Sequence, residues 1–385
     1  MNIEILANKF EALYSTKPQG ISSAPGRVNL IGEFTDYNNG FVLPSALEFR
    51  TVVLFKPRAD NVVNVHSLDY PTEKESFSVD SDIVAGASQW GNYIRAIAFV
   101  LKRAGHSLQG MDILIDSNVP QGAGLSSSAA LEVAVCGAFN HIAGLGLSLQ
   151  QVAVFGQEAE NDFMDCQCGI MDQLISAKGD AGKALLIDCQ SLETQAIDIP
   201  DDLMLVIINS NYPRKLVDSE YNQRRQDCEQ AAAKLGLETL RGATMDSLLE
   251  VESVLTLNQF KRARHVISEN TRVIKATEAL QKNDIDSLRE LMFASHQSLK
   301  NDFEVTVPAT DGLVSICREA LGEKGAVRMT GGGFGGAIVC LCRAEDVEKV
   351  KSAVEENYEK NFNLTASIFV CKAGSGLEVM DFSRN

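Results

Sequence analysis

The sequence predicts an α+β protein built as two domains. Three observations carry this. The chain has 385 residues, more than one core ordinarily organises at roughly 100–150 residues per domain. Strand-like and helix-like segments are mixed along its first half. A composition shift at residues 192–202 then leads into a second half that opens on a buried apolar run and turns charged and helical.

The elements follow in order. Thr51 to Lys56 and Val62 to His66 have strand composition, and Met111 to Ile115 reads as a strand leading to Pro120. Ala129 to Ala143 is Ala-rich with helical apolar spacing. Leu149 to Phe163 is a second helix, with Gln157, Glu158, Glu160 and Asn161 off its apolar face. Leu203 to Asn209 reads as a buried strand, and residues 219–300 as helices with few breakers. Ala326 to Thr330, a glycine run, Ala337 to Leu341, Glu345 to Tyr358 and Ala366 to Lys372 spell strand, loop, strand, helix, strand. The predicted domains are 1–190 and 191–385, with the boundary in the stretch 185–205.

Composition narrows the function. The apolar share of 45% and charged share of 22% are those of a well-packed globular chain. Lys and Arg number 35 and Asp and Glu 51, a net charge of −16. Nucleic acid and anionic membrane are repelled by such a surface and are not expected as partners. No window approaches the roughly 18 apolar residues of a membrane span. Met1 to Ser15 carries Glu4, Lys9 and Glu11 without a continuous apolar core, so no signal peptide is expected and the expected location is cytoplasmic. The nine cysteines include the C-x-C pairs Cys166/Cys168 and Cys340/Cys342 but no zinc-type spacing, which points to buried free thiols.

Two glycine-rich loops carry the chemistry. Pro120-Gln-Gly-Ala-Gly-Leu-Ser-Ser-Ser-Ala-Ala130 follows a strand and opens a helix. Gly122 and Gly124 permit positive φ and close approach of a ligand. The serines stand where helix caps are favoured, and the free N–H groups of a helix start attract anions. No Walker loop or G-x-G-x-x-G is present, since Ser127 replaces the third glycine. A glycine turn before a Ser-capped helix would satisfy the same pattern without a ligand. The second run, Thr330 to Gly336, has five glycines in six positions after Thr330. A hairpin needs one or two, so close approach to a ligand or another loop is expected.

Phosphoryl transfer needs a carboxylate on Mg²⁺ and often a second that accepts the hydroxyl proton. Glu160 lies on a predicted helix and Asp172 beyond a break at Cys168-Gly169, so one short segment can present two acids to one site. Arg27 is a single charge before an apolar run and needs an anionic partner, a carboxylate or a phosphate. The five histidines are distant from these motifs, which disfavours a Ser-His-Asp hydrolase. The missing Rossmann fingerprint disfavours a dehydrogenase.

Gly26-Arg-Val-Asn-Leu-Ile-Gly-Glu-Phe-Thr-Asp-Tyr-Asn-Asn-Gly-Phe-Val-Leu-Pro44 resembles the signature of the galactokinase family. Pro120 to Ala130 and Gly325 to Gly336 resemble the second and third motifs of the wider superfamily of galactokinase, homoserine kinase, mevalonate kinase and phosphomevalonate kinase. Cys168-Gly-Ile-Met-Asp-Gln173 and Ser219-Glu-Tyr-Asn222 are also similar to galactokinases. The resemblance implies a two-domain small-molecule kinase fold. Its N-terminal part is like the second domain of a ribosomal protein, with a left-handed crossover against the usual rule. Its C-terminal part is ferredoxin-like. The implied reaction moves the γ-phosphoryl of ATP to the C1 hydroxyl of α-D-galactose, with Mg²⁺. The implied partners are galactose and ATP, with the chain a monomer or weak homo-oligomer.

The resemblance also implies roles. Asp172 and Arg27 are the catalytic pair, Asp172 receiving or orienting the hydroxyl proton and Arg27 keeping it charged. Ser128 and Glu160 are the Mg²⁺ ligands. Gly122, Ala123, Gly124, Leu125, Ser126, Ser127 and Ser128 wrap the ATP phosphates, with Ser67 and Trp90 in the nucleotide pocket. Glu33, Phe34, Thr35, Asp36, Gly169 and Tyr221 bind the sugar. The family usually has His where this chain has Phe34, which implies weaker discrimination at the sugar's C6. Two alternatives accompany this reading: a related sugar kinase acting on N-acetylgalactosamine, and a non-catalytic galactose and ATP sensor. Such sensors lack a Ser-Ala pair in the second motif, and Ser128-Ala129 is present here.

Overall fold

β-Branched and aromatic runs set the first sheet, and their alternation decides what covers it. The computed structural model describes residues 2–213 and 217–382, without the side chains of 217–219. In chain order the first part contains α1 (Ile3–Tyr14), β1 (Gly20–Asn29), β2 (Phe41–Val42), β3 (Pro44–Pro57), β4 (Val62–Ser67), β5 (Glu75–Ser78), α2 (Gln89–Arg103), β6 (Met111–Ser117), α3 (Ser127–Ala143), α4 (Leu149–Asp162), α5 (Met171–Lys178), β7 (Lys183–Asp188) and β8 (Thr194–Asp198). On β3, Val53 and Phe55 face a core shared with α2 and α3, while Val52 and Leu54 face Leu6 and Phe10 of α1. Full burial of a side chain such as Phe10 contributes about 1.5–3 kcal/mol. Asn2 caps α1, accepting from the N–H groups of Glu4 and Ile5.

The second part contains β9 (Leu203–Asn209), α6 (Val217–Lys234), α7 (Met245–Glu250), α8 (Leu257–Gln281), α9 (Ile285–Ser298), α10 (Pro308–Leu321), β10 (Gly325–Thr330), β11 (Ala337–Arg343), α11 (Val347–Phe362), β12 (Ser367–Cys371) and β13 (Glu378–Asp381). Its antiparallel sheet runs β10-β11-β9-β12. With α10 before β10 and α11 before β12, this is the βαββαβ ferredoxin-like arrangement the sequence resemblance implied, with α6 to α9 set in ahead of α10. Alternation again divides two cores: Val206 and Ile208 pack towards α10 and α11, and Leu205 and Ile207 pack towards the first part.

The sequence-predicted boundary at 190/191 needs correction. The nine-stranded sheet takes β8 from beyond that point, and β13 at the chain's end pairs antiparallel with β1, Gly20 opposite Asp381. The chain therefore returns to its first sheet. A single apolar cluster joins Val28, Leu30 and Leu43 to Leu205, Val339, Val273 and Met292, so the two parts share a core. Among the described residues no helix is long and apolar enough to cross a membrane. The nine cysteines are free, seven of them buried.

Candidate active site

Small residues place the second motif. α3 lies close against β1: Ser22 Oγ donates to the Ala134 carbonyl at 2.7 Å, and a Cβ on Gly137 would meet Ser22 Oγ. This sets the start of α3 and the glycine loop before it beside Arg27 on β1. The side chains of Ala123 and Leu125 are buried, which turns the loop backbone outward. Arg27 then ties the loop down, its N–H to the Leu125 carbonyl at 3.0 Å and Nη1 to the Gly124 carbonyl at 2.6 Å.

The anionic partner that Arg27 required is Asp172. Arg27 Nε meets Asp172 Oδ1 and Nη2 meets Oδ2, both at 2.8 Å, a bidentate fork that fixes the carboxylate plane. Arg27 is buried, whereas the Asp172 side chain keeps 29% of its surface. Asp172 sits in the first turn of α5, where the helix dipole favours negative charge.

Asp36 and Gly169 close on the same place. Asp36 is buried, in a 3₁₀ turn spanning Asp36–Asn38. Burial, and next the charge of Asp172, push its carboxyl up to about 6. A Cβ at Gly169 would fall on the Asp36 carboxylate, so only glycine fits there. Tyr221 on α6 completes the cradle. Burial and then the Asp36 charge push its phenol well above the usual range, which marks a neutral hydroxyl beside Asp36. Ser219 of the same sequence match lies outside the described side chains.

Three sequence-predicted sugar residues are occupied otherwise. The Glu33 carboxylate accepts from Asn29 Nδ2 at 2.7 Å, Arg328 Nη1 at 2.5 Å, Gly331 N at 2.8 Å and Thr330 Oγ1 at 3.2 Å. Two carboxylate oxygens offer about four acceptor positions; Asn29, Arg328 and Gly331 take three, and the single proton of the Thr330 hydroxyl is shared between the fourth and the Asn29 carbonyl at 3.0 Å. Thr35 is wholly buried, its hydroxyl on the carbonyls of Gly32 at 2.9 Å and Phe41 at 2.6 Å. It shapes the loop. Phe34, at φ 65°, is buried in an aromatic cluster, stacked on Phe303 with centroids 4.5 Å apart and lying 5.8 Å from Tyr221. Its ring backs the cradle through Tyr221.

Of the residues expected to wrap phosphates, Ser126 departs most from expectation. It stands at the N-cap of α3 with φ 58° and makes no capping hydrogen bond; its hydroxyl donates to Asp172 Oδ2. Ser127 and Ser128 open the helix, both half-buried. Glu160 on α4 is buried against Glu132 of α3, one turn beyond Ser128. Among the described residues no three His, Cys, Asp or Glu side chains form a metal cage by themselves. Ser67 ends β4, and Trp90 stacks on Tyr70 at 5.7 Å while its Nε1 donates to Glu73. Tyr70 reaches the first residues of the loop at Gln121, 3.5 Å away.

The third motif closes the circle. A Cβ on Gly331, at φ 81°, would stand 3.2 Å from the Gly124 carbonyl oxygen, so the two glycine loops are in contact. Sequence reasoning missed Arg328 and Glu269, which carry this arrangement. Arg328 is wholly buried and also reaches the carbonyls of Asn29 and Leu30, while Glu269 on α8 accepts from the Gly32 N–H at 3.0 Å. The signal for Arg328 was in the sequence: like Arg27, it is a lone cation inside an apolar strand.

Comparison with known proteins fits this geometry. Residues 92–180 match the family described as GHMP kinases N terminal domain, and residues 276–360 the family described as GHMP kinases C terminal. Residues 8–57 match the galactokinase galactose-binding signature. A galactokinase of Lactococcus lactis, solved as a complex with galactose, is 32% identical; the alignment covers 98% of this chain and 99% of that one, with a TM-score of 0.92. The mevalonate kinase of Methanococcus jannaschii is 16% identical over 92% of this chain and 98% of its own, TM-score 0.68. The phosphomevalonate kinase of Streptococcus pneumoniae is 11% identical over 91% and 99%, TM-score 0.63. These last two show the fold.

Proposed function

The chain is an ATP-dependent sugar kinase of the galactokinase family, and on that premise we propose that its sugar is galactose and its product galactose 1-phosphate. The observation that carries the proposal is the Arg27–Asp172 fork, set where the sugar motif and both glycine loops meet.

Asp172 receives the proton of the C1 hydroxyl as that oxygen attacks the γ-phosphorus and the bond to ADP breaks. Asp172 Oδ1, with one acceptor position beyond Arg27 Nε, is the atom that takes it. Arg27 holds the carboxylate in plane and places positive charge beside the transferring group. Asp36 accepts from neighbouring sugar hydroxyls, Tyr221 lies against them, and the bare face of Gly169 lets the ring approach. The outward N–H groups of the loop and the start of α3 receive the phosphates, and the Tyr70–Trp90 shelf beside Gln121 is the seat for the base.

Mg²⁺ suits the donors available. Ser128 offers a hydroxyl and Glu160 a carboxylate, both hard oxygens, leaving the remaining positions to phosphate oxygens and water. Glu132 lies beside Glu160, and burial and then the Glu160 charge push its carboxyl well above the usual range. Mg²⁺ would neutralise charge on the phosphates; Ser128 and Glu160 would hold it. We place the protein in the cytoplasm as a soluble enzyme, on its acidic surface.

The test is a coupled ADP-release assay over a panel of hexoses with Mg²⁺, the product identified by phosphorus NMR. Turnover of galactose to its 1-phosphate is expected. Turnover confined to N-acetylgalactosamine or another hexose would overturn galactose as the substrate.

A further inference from the structure

Serine before a helix ordinarily adopts an extended backbone and turns its hydroxyl back onto the helix's first N–H groups. Ser126 does neither. Its φ of 58° and ψ of 53° lie in the left-handed region, and its side chain makes no cap. A non-glycine residue held there is strained, and such strain persists only where the surroundings impose it. The hydroxyl is aimed instead at Asp172 Oδ2, the same oxygen that receives Arg27 Nη2 at 2.8 Å.

Two consequences follow from the chemistry of a carboxylate. With Arg27 and Ser126 both on Oδ2, that oxygen is filled; Oδ1 holds only Arg27 Nε and keeps one acceptor position. Ser126 thus decides which oxygen meets an incoming hydroxyl. Ser126 is also the residue just before the free N–H groups of Ser127 and Ser128. A phosphate drawn onto those groups acts directly on the Ser126 backbone. No other side chain of the loop bonds Asp172 among the described residues: Gly124 and Leu125 reach it only through carbonyls held by Arg27.

We propose that Ser126 is a positioning residue that couples the nucleotide site to the base, its hydroxyl holding Asp172 Oδ2 so that Oδ1 alone meets the sugar, and its strained backbone transmitting phosphate binding to that contact. The inference rests on the sugar-kinase reading above. It makes the two substrates energetically linked: a nucleotide that settles the loop tightens the sugar site, and the sugar tightens the nucleotide site by the same factor.

The experiment uses the full chain with Ser126→Ala, which removes the hydroxyl and keeps the strain, and Ser126→Gly, which removes both. Galactose affinity is measured by calorimetry with and without a non-hydrolysable ATP analogue and Mg²⁺, and kcat and KM by ADP release. For the wild type, the analogue is expected to tighten galactose at least fivefold. Both variants should bring that ratio to within twofold of one, lower kcat about tenfold, and raise the galactose KM at saturating ATP by about the factor lost from the ratio. Ser126→Gly should also melt higher than Ser126→Ala, which checks the strain independently of turnover. A wild-type ratio of one, or ratios in both variants equal to the wild type's, would overturn the coupling. Loss in the glycine variant alone would assign the effect to the backbone and overturn the role of the hydroxyl. Failure of the wild type to turn over galactose would sink the substrate assignment instead; the Ser126 ratios are then read on whichever hexose it does phosphorylate.

Discussion

Arg27 binds Asp172 through two nitrogens, each 2.8 Å from its own carboxylate oxygen, and uses its third nitrogen to hold the Gly124 carbonyl. One guanidinium thus fixes Asp172 and the glycine loop before α3 together. Asp172→Asn removes the proposed proton acceptor and leaves a similar shape. Turnover should fall by a factor of about 10²–10⁴, the usual worth of a general base, with an unchanged circular dichroism spectrum. A variant with near wild-type kcat would show that Asp172 only orients the hydroxyl. Arg27→Lys should also fail, because an ammonium cannot make the planar fork. Its loss should fall on kcat, by about 10²-fold if Arg27 acts on the developing charge; a rise in KM alone would place Arg27 in ground-state binding.

Asp36 gives the enzyme a pH dependence of its own. Its carboxyl is raised from the ordinary 3.8 to about 6, chiefly by burial and then by Asp172. A raised carboxyl prefers its proton in the folded chain. Stability from this residue is therefore present below about 3.8 and is lost as pH rises from there through about 6. Sugar binding has the opposite sign, since the ionised carboxylate is the better acceptor. The galactose KM should rise as pH falls from 7 to 5, with a midpoint near 6. Asp36→Asn should bind galactose poorly and without this midpoint. Initial rates across that pH range in both proteins decide it, and a KM independent of pH in the wild type would remove Asp36 from the sugar site.

The Glu33–Arg328 pair tests the latch between the first and third motifs. Both side chains are buried, and burial pushes the Glu33 carboxyl up against the pull of Arg328. Removing one partner strands the other's charge, a loss of about 3–5 kcal/mol for buried pairs. Arg328→Met should show a loss of that size in urea unfolding. Arg328→Met combined with Glu33→Gln should recover part of it, because no isolated charge is then left in the core. A double variant as unstable as the sum of its singles would mean that the two residues act independently.

What was legible in the sequence depended on how far its causes reached. Strands such as Leu203–Asn209 and helices such as Leu149–Asp162 are fixed by local periodicity, and their bounds were readable within a residue or so. Arg27 was legible as a charge that needed a partner. The fate of Glu33 was not, because three of its four donors, Arg328, Thr330 and Gly331, come from the far end of the chain. Ser126 was misread for the opposite reason. Its local context, a serine before an Ala-rich helix, argues for a cap, and a contact with α5 overrides it. The strand at Glu378–Asp381 was invisible to periodicity, being four residues long and paired with the first strand of the chain.

The wall behind Tyr221 bears on specificity at C6. Phe34 stacks on Phe303 and lies among Tyr37, Tyr221 and His265, with ring centroids at 6.5, 5.8 and 6.5 Å. His265 is already bonded to the Glu33 carbonyl at 3.1 Å and to Ser298 at 2.9 Å, and burial holds its ring down to about 4, neutral at pH 7. Neither ring has a free donor to offer a 6-hydroxyl. A site built to hydrogen-bond a hydroxyl rejects its deoxy analogue by factors of about 10⁴, whereas an apolar wall discriminates by about 10–200 at most. The ratio of kcat/KM for galactose over 6-deoxygalactose should therefore stay below about 100 in the wild type. Phe34→His, which puts a hydrogen-bonding ring at the same place, should raise it. A ratio of 10⁴ in the wild type would require a polar partner for C6 that Phe34 does not block, and would exclude this ring as the determinant.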